Sequence, residues 1–349
     1  MYEESERTMA KGTITIADVA KASGVSKSAV SYALNGKAGV SEETRAKVLK
    51  LARSMGWKPN SAAKSLSDAC TRSIGVVLMV ADAEEFGSGM FAMDCLAGLS
   101  KAVDPRDYSI VLRMTAGGAA AACRIYEDWI ASGKVDAHLV LGVELGDPRL
   151  ALFREHPEVK ALFISQREII SGLPTLYSSD DEGARMVVRY LHGLGHRSIA
   201  RIAGPEDYVH TLARDNATAD ECSKLGMRCI TLHGKYMAET GERLCNAILD
   251  FGHRPTAIIC DTDITAVGAL HAALARGVSV PEDLSIVAWD DSAACVSATP
   301  TLTALHRDVR AIGLKAGEML LRMIDGETVG DEPEPPYRLV ERASTGPMA

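Results

Sequence analysis

A chain of 349 residues in which 24% are charged has the length of two or three compact domains, and it holds no run of the ~18 consecutive apolar residues that a membrane helix needs. Its eight cysteines (Cys70, Cys95, Cys123, Cys222, Cys229, Cys245, Cys260 and Cys295) have neither CxxC spacing nor neighbouring histidines, so no zinc site, disulfide framework or other cofactor site is indicated, and they read as buried reduced thiols. The net charge of −8 argues against a nucleic-acid partner until it is divided: residues 11–66 carry ten Lys and Arg against three Asp and Glu, a surplus of +7 that leaves −15 on the rest.

Residues 1–12 read as a tail. Its opening "MYEESER" is acidic, unlike the start of a signal peptide, so a cytoplasmic protein is expected, with Met9 as a second plausible initiator. A small all-α unit is expected over residues 13–58. Thr15 and Asp18 form a capping-box pair ahead of a first helix with Ile16, Val19 and Ala20 on one face. Gly24 supplies the left-handed residue of a sharp turn, and Ser26 caps a second helix from about Lys27 to Leu34. In that helix Ala29, Val30, Ala33 and Leu34 point inward, which leaves Lys27, Ser28, Ser31, Tyr32 and Asn35 outside. A third helix starts at Ser41 and ends near Gly56, with Val48, Ala52 and Met55 buried and Arg45, Lys47, Lys50 and Arg53 on its wet sides. The pattern suits a helix-turn-helix that enters the major groove, and it also suits an ordinary helical hairpin.

The next stretch, "PNSAAKSLS" within residues 59–71, reads as a hinge helix too short to be stable alone, or as a plain linker. Two such helices from a dimer, packed together, would drive Leu66 between base steps of the minor groove. "TIADVAKASGVSKSAVSYALNG", "VSEETRAKVLKLARSMGWKPNSAAKSL" and "SIGVV" follow one another as in the lactose-repressor/galactose-repressor (LacI/GalR) family of bacterial transcription regulators, which the chain resembles densely from Thr13 to Val77 and more sparsely to Thr345. The resemblance implies that Lys27, Ser28 and Tyr32 read base edges and that Thr15, Ser26, Ser31, Asn35, Ser41 and Thr44 touch phosphates; Arg45 is added to the phosphate set. It makes Leu66 the minor-groove wedge and puts Ala63 and Lys64 in the hinge helix.

From residue 72 to 349, short apolar runs alternate with amphipathic segments. "IGVVLMVA", "SIVL", "AHLVLGV", "ALFIS", "IARIAG", "CITL", "AIICD" and "LSIVAWDD" have the length of buried parallel strands, so an α/β doubly wound body of two lobes is expected, with ligands beyond the strands' carboxyl ends. The resemblance implies a periplasmic-binding-protein-like effector and dimerisation domain, with lobe 1 over about 72–166 and 307–327 and lobe 2 over about 167–306 and 328–349. No GK[ST] phosphate loop, GxSxG elbow or HExxH occurs, and catalysis has no visible constellation. Met79, Ser165, Arg214, Thr262, Trp289, Asp290 and Arg307 are the candidate effector-binding residues. By resemblance Arg214 grips the ligand and Asp290 accepts from its hydroxyls, a pairing that suits a sugar or sugar derivative. Asp263 reads as the cap of the helix that follows it, Asp291 as structural, and Trp289 either as a stacking surface for a sugar or as core.

Three departures from the family pattern bear on the effector. Ala217 and Thr218 follow the matched arginine in place of a glycine and an aromatic, the mouth "MVADAEEFGSGMFAM" is acidic, and Trp289 replaces the more usual Tyr or Phe. The expected whole is a homodimeric regulator, a repressor by the family's habit, that binds a pseudo-palindromic double-stranded operator under the control of a small carbohydrate-like ligand. The alternatives left open are a DNA-binding regulator gated by a partner protein or without an effector, and a small-solute binding protein that does not read DNA.

Overall fold

The computed structural model describes residues 14–57, 70–80 and 90–348, and the chain divides into two compact units between Cys70 and Thr71. In the first unit, helices α1 (Ile16–Ser23), α2 (Lys27–Leu34) and α3 (Glu42–Ser54) enclose a core of Val19, Ala20, Val30, Ala33, Val48 and Ala52. Each helix begins on a hydroxyl cap. The Thr15 amide donates to Asp18 Oδ2 at 2.8 Å, and the Asp18 amide donates back to Thr15 Oγ1 at 3.3 Å, closing a capping box. Ser26 Oγ accepts from the Ala29 amide, and Ser41 Oγ from the Thr44 amide. Gly24, at φ +75°, makes the left-handed turn that lets α2 fold back against α1.

The second unit contains two six-stranded sheets. The first is built from β1 (Ser73–Met79), β2 (Ser109–Thr115), β3 (Ala137–Val140), β4 (Ala161–Ser165), β5 (Thr175–Tyr177) and β11 (Glu332–Pro333), in the order β11-β5-β4-β3-β1-β2 and parallel throughout. Its faces are covered by α4 (Met90–Val103) and α12 (Val309–Ile324) on one side and by α5 (Gly118–Ser132) and α6 (Pro148–Glu155) on the other. Period-two alternation along β1 explains the two cores: Ile74, Val76 and Leu78 join the first, while Val77 joins Tyr126, Trp129 and Phe153 in the second.

The second sheet repeats this order as β12-β10-β9-β8-β6-β7. Its strands are β6 (Ser198–Ala203), β7 (Arg228–His233), β8 (Ala257–Cys260), β9 (Ser285–Trp289) and β10 (Thr303–His306), with β12 (Arg338–Val340) antiparallel at the edge. Helices α7 (Asp180–Gly193), α8 (Val209–Lys224), α9 (Ala238–Leu249), α10 (Asp263–Ala275) and the short α11 (Ala293–Ser297) complete this lobe. In both sheets the strand order reverses between the first strand and its neighbours, the switch point where doubly wound folds bind ligands.

The lobe boundaries expected from sequence need correction. Residues 175–177 and 332–333 pair with the first sheet, so lobe 1 extends past residues 166 and 327. Strands of three and two residues are too short to show an alternation, and Pro174 and Pro333 flank or occupy them. The chain therefore crosses between lobes after Tyr177, after His306 and after Pro333. The expected hinge, with Ala63, Lys64 and Leu66, lies outside the described residues, and so does part of the acidic mouth.

Candidate functional site

On the first unit, α2 leaves Lys27 and Ser28 exposed, and Tyr32 is 43% exposed although it is a large aromatic. The Tyr32 ring lies over the backbone at Gly39, which fixes its direction. Ser31, expected outside, is half-buried, and Asn35 Nδ2 donates to its hydroxyl at 3.4 Å. Thr15, Ser26 and Ser41 hold the amides at the starts of α1, α2 and α3, the helix ends that carry partial positive charge. Thr44 Oγ1 accepts from Ser41 Oγ at 2.9 Å. Arg45 is tied inward: its Nη2 donates to the Lys37 carbonyl at 2.9 Å, and its Nε lies 3.3 Å from Glu42 Oε1.

In the second unit, a cavity of about 240 Å³ opens where the carboxyl ends of both sheets converge. Met79, Ser165, Arg214, Thr262, Asp290 and Arg307 all line it, as does Asp263. The strand ends explain the grouping, because Met79 ends β1, Ser165 ends β4, Thr262 follows β8 and Asp290 follows β9. Arg307 lies on the crossover after β10. Trp289 is a correction: it is 1% exposed and does not line the cavity. Its ring instead lies 3.8 Å from the Arg214 guanidinium carbon, a cation–π contact behind the site. Asp263 is not the helix cap either. Thr262 takes that role, its Oγ1 accepting from the Thr265 amide, and Asp263 Oδ1 accepts from the Ile264 amide at 2.7 Å. Asp291 pairs with Arg342 at 2.8 Å, a structural contact away from the cavity lining.

Arg214 is held on both sides. Its Nε donates to Asp180 Oδ1 at 2.8 Å, and its Nη1 donates to the Asp261 carbonyl at 3.3 Å. Asp180 also accepts from Ser178 Oγ at 2.6 Å, Gln166 Nε2 at 2.9 Å and the Tyr337 hydroxyl at 3.1 Å. Burial raises the Asp180 carboxyl, but Arg214 and Arg307 outweigh it and hold the group well below the usual carboxylate range. Asp261 accepts from Arg201 Nε at 2.8 Å and Nη2 at 2.6 Å, and Arg201 also meets Asp215, which His233 Nε2 contacts at 2.9 Å. A continuous ionic network thus runs behind the cavity, and each charge within it has a partner.

One wall is aromatic. The rings of Tyr208 and His210 stack with centroids 5.2 Å apart, and His210 Nε2 and the Tyr236 hydroxyl are 2.8 Å apart. Burial and the nearby Arg214 push the His210 imidazole down to about 4, so it is neutral at pH 7. The lobes also touch through backbone, where Leu145 N donates to Asp207 O at 2.7 Å and Val209 N to Val143 O at 3.0 Å.

Sequence reasoning missed Asp180, His210, Tyr236, Asp261 and Glu334, all on the cavity wall. One signal was available for the network behind it: Arg201 interrupts the apolar run "IARIAG", and a charge inside a buried strand needs a partner. Six of the eight thiols match the bland reading, with Cys95, Cys123, Cys222, Cys245, Cys260 and Cys295 buried, whereas Cys70 and Cys229 are half-buried. Among the described residues no cluster of His, Cys, Asp or Glu can hold a metal ion, and no helix is long and apolar enough to cross a membrane.

Comparison with known proteins agrees with this geometry. Residues 15–60 match the family described as "Bacterial regulatory proteins, lacI family", and residues 188–345 match "Periplasmic binding protein-like domain". The chain is 31% identical over 335 residues to the HTH-type transcriptional repressor PurR of Escherichia coli, covering 95% of this chain and 96% of that one. A crystal structure of the lac repressor dimer bound to operator and the anti-inducer ONPF superposes with a TM-score of 0.85 at 26% identity, covering 96% and 99% of the two chains. A LacI family regulator from Bifidobacterium animalis subsp. lactis is 42% identical with a TM-score of 0.75, over 80% of this chain and all of that one. The relatives are transcriptional regulators rather than enzymes. With a three-helix head, two doubly wound lobes and 31% identity along nearly its whole length to a repressor, the chain belongs to the LacI family of bacterial regulatory proteins.

Proposed function

We propose that the protein is a cytoplasmic, homodimeric repressor that binds a pseudo-palindromic operator and releases or tightens it when a small polyol enters the cavity of the second unit. The observation that carries this reading is the pairing, within one LacI-family chain, of an exposed α2 face of short polar groups with a cavity at the sheets' switch points. Lys27, Ser28 and Tyr32 are assigned to base edges. Thr15, Ser26, Ser31, Asn35, Ser41 and Thr44 are assigned to phosphates, where three capped helix starts offer amides to an anion. Arg45 contributes by bracing the loop at Lys37, so its effect on DNA is proposed to run through α2 as well as through charge.

Leu66, with Ala63 and Lys64, is proposed as the hinge that inserts into the minor groove. Exposed apolar side chains support a homodimer: Leu112 and Met114 on the edge strand β2, and Met93 on α4. In the cavity, Arg214 and Asp290 offer charge-assisted donors and acceptors, while Tyr208, His210 and Tyr236 offer ring faces, the combination that suits a hydroxyl-rich ring. A structure of the related regulator CelR, 25% identical with a TM-score of 0.70, is a complex with cellobiose. Catalysis is not part of the proposal.

The test is selection of bound sequences from a random duplex pool with the full chain at moderate salt, with and without sugars. A palindromic motif whose recovery changes with one of the sugars is the expected result. Absence of any enriched motif in every condition overturns the DNA-reading assignment.

A further inference from the structure

Carboxyl groups outnumber basic side chains on the cavity wall, although Arg201 behind it pairs with Asp261. Among the described residues on its wall, Asp180, Asp261, Asp263, Asp290 and Glu334 carry carboxyl groups, whereas Arg214 and Arg307 are the basic side chains. Both arginines are committed: Arg214 to Asp180 and Asp261, and Arg307 to Asp290 at 2.7 Å. Asp263 is satisfied by the Ile264 amide. Glu334 differs from all of these, because both of its carboxyl oxygens are shielded from solvent and neither has a hydrogen-bond partner.

Glu334 is also held in place. It lies on the third crossover in "PEPP", where Pro333, Pro335 and Pro336 fix φ and bias the residues before them to extended backbone. Its own amide donates to the Tyr177 carbonyl at 2.8 Å, anchoring it to β5. The groups facing it are Arg307, Asp180, Asp290 and Arg214, with Cys95 of α4 and Tyr337 nearby. Burial pushes its carboxyl up to about 8 despite the field of Arg307. An acid kept dry and unpartnered on a rigid support beside a cavity is a group that awaits a ligand.

We propose that Glu334 contacts the effector directly and selects a ligand that carries a protonated amine beside its hydroxyls, the chemistry of an amino sugar or amino polyol. This rests on reading the cavity as a polyol site. Anionic ligands are disfavoured because, among the described residues, each lining arginine already has its charge matched by a carboxylate. A neutral hydroxyl meets the protonated Glu334 with a hydrogen bond and no charge, whereas an ammonium group takes its carboxylate form as both donor and counter-charge, the carboxyl proton leaving to solvent.

The test uses isothermal titration of the full chain with matched pairs that differ only in amine against hydroxyl: D-glucosamine and D-glucose, D-galactosamine and D-galactose, D-glucamine and D-glucitol. In at least one pair the amine binds about tenfold more tightly than its twin. Glu334→Gln brings that pair within about threefold of each other, and amine binding at pH 7 ejects a proton from the wild-type protein and none from the variant. If Glu334→Gln fails to fold, the wild-type ratio and proton release decide alone. Twins that bind equally, or a preference unchanged in Glu334→Gln, overturn the amine assignment and leave the polyol reading standing. Failure of every member of every pair to bind overturns the polyol reading and this inference with it.

Discussion

Arg214 shows what a single side chain does here beyond gripping a ligand. It closes the gap between Asp180 at the start of α7 and Asp261 at the end of β8, and its flat guanidinium rests on Trp289. Three constraints fix the fork before any ligand arrives, which lowers the entropy lost on binding. Lysine keeps the charge but neither the fork nor the stack. Arg214→Ala removes the shared counter-charge of two buried carboxylates and is expected to cost roughly 3 kcal/mol of stability in the second unit, with the acid-unfolding midpoint moved to higher pH as Asp180 loses its main opposing charge. Arg214→Lys should recover about half of the lost stability and none of the response to a ligand. Denaturant titration at several pH values, with melting in the presence of the matched polyols, checks both. Equal stability of wild type and Arg214→Ala would mean that the network does not depend on this residue.

At the scale of elements, helix pairs are joined backbone to backbone. A side-chain carbon built on Gly313 of α12 would lie 1.9 Å from the Cys95 carbonyl oxygen of α4, and one built on Gly98 would lie 2.0 Å from the Arg310 carbonyl oxygen. The two helices pack at distances that only hydrogen side chains allow, so Gly313→Ala must push α12 from α4 and open the core around Leu99 and Leu320. The expected cost is about 3 kcal/mol, measured by chemical unfolding, while Glu318→Ala on the exposed face of the same helix stays within about 0.5 kcal/mol. A Gly313→Ala protein as stable as Glu318→Ala would show that the helices can separate freely.

Elements of this kind were legible where their signal is local. Caps at Thr15, Ser26 and Ser41, the turn at Gly24 and the long apolar strands follow from propensity and period, and all are present. The two short strands of lobe 1 and the partners of Arg214 were not, because β5 is set by its neighbours and Asp180 reaches Arg214 across 34 residues of chain. Trp289 was ambiguous for the same reason. An aromatic at a strand end looks alike whether it faces a ligand or the arginine that would hold one.

Over the whole molecule, buried titratable groups set opposing slopes of stability against pH. Burial pushes His138, packed among Tyr126, Trp129 and Phe153, down to about 4, and burial with Arg214 does the same to His210. From pH 6.5 down to 4 the unfolded chain binds the protons these rings refuse, so stability falls as pH falls. Asp180 and Asp261, both depressed, add to that loss below about pH 4. Glu334 acts in the opposite sense. Its folded value of about 8 lies above the ordinary 4.5, so the folded chain holds that proton longer and loses stability as pH rises from 4.5 to 8. His138 and His210, with His196 lowered by burial in the same sense, outweigh one carboxyl below pH 6.5, and above it Glu334 has the largest upward carboxyl shift. Without ligand, the second unit should therefore be most stable near pH 6.5 and decline toward pH 8 by at most about 1.4 kcal/mol per pH unit. Trp57→Phe leaves Trp129 and Trp289 as fluorescent reporters of this unit, and urea unfolding in that background from pH 5 to 9 reads the profile. Glu334→Gln should flatten the alkaline arm and His138→Phe should reduce the acid arm, each without moving the other. An alkaline decline that survives Glu334→Gln would mean that another group carries it, and that Glu334 is already paired in solution.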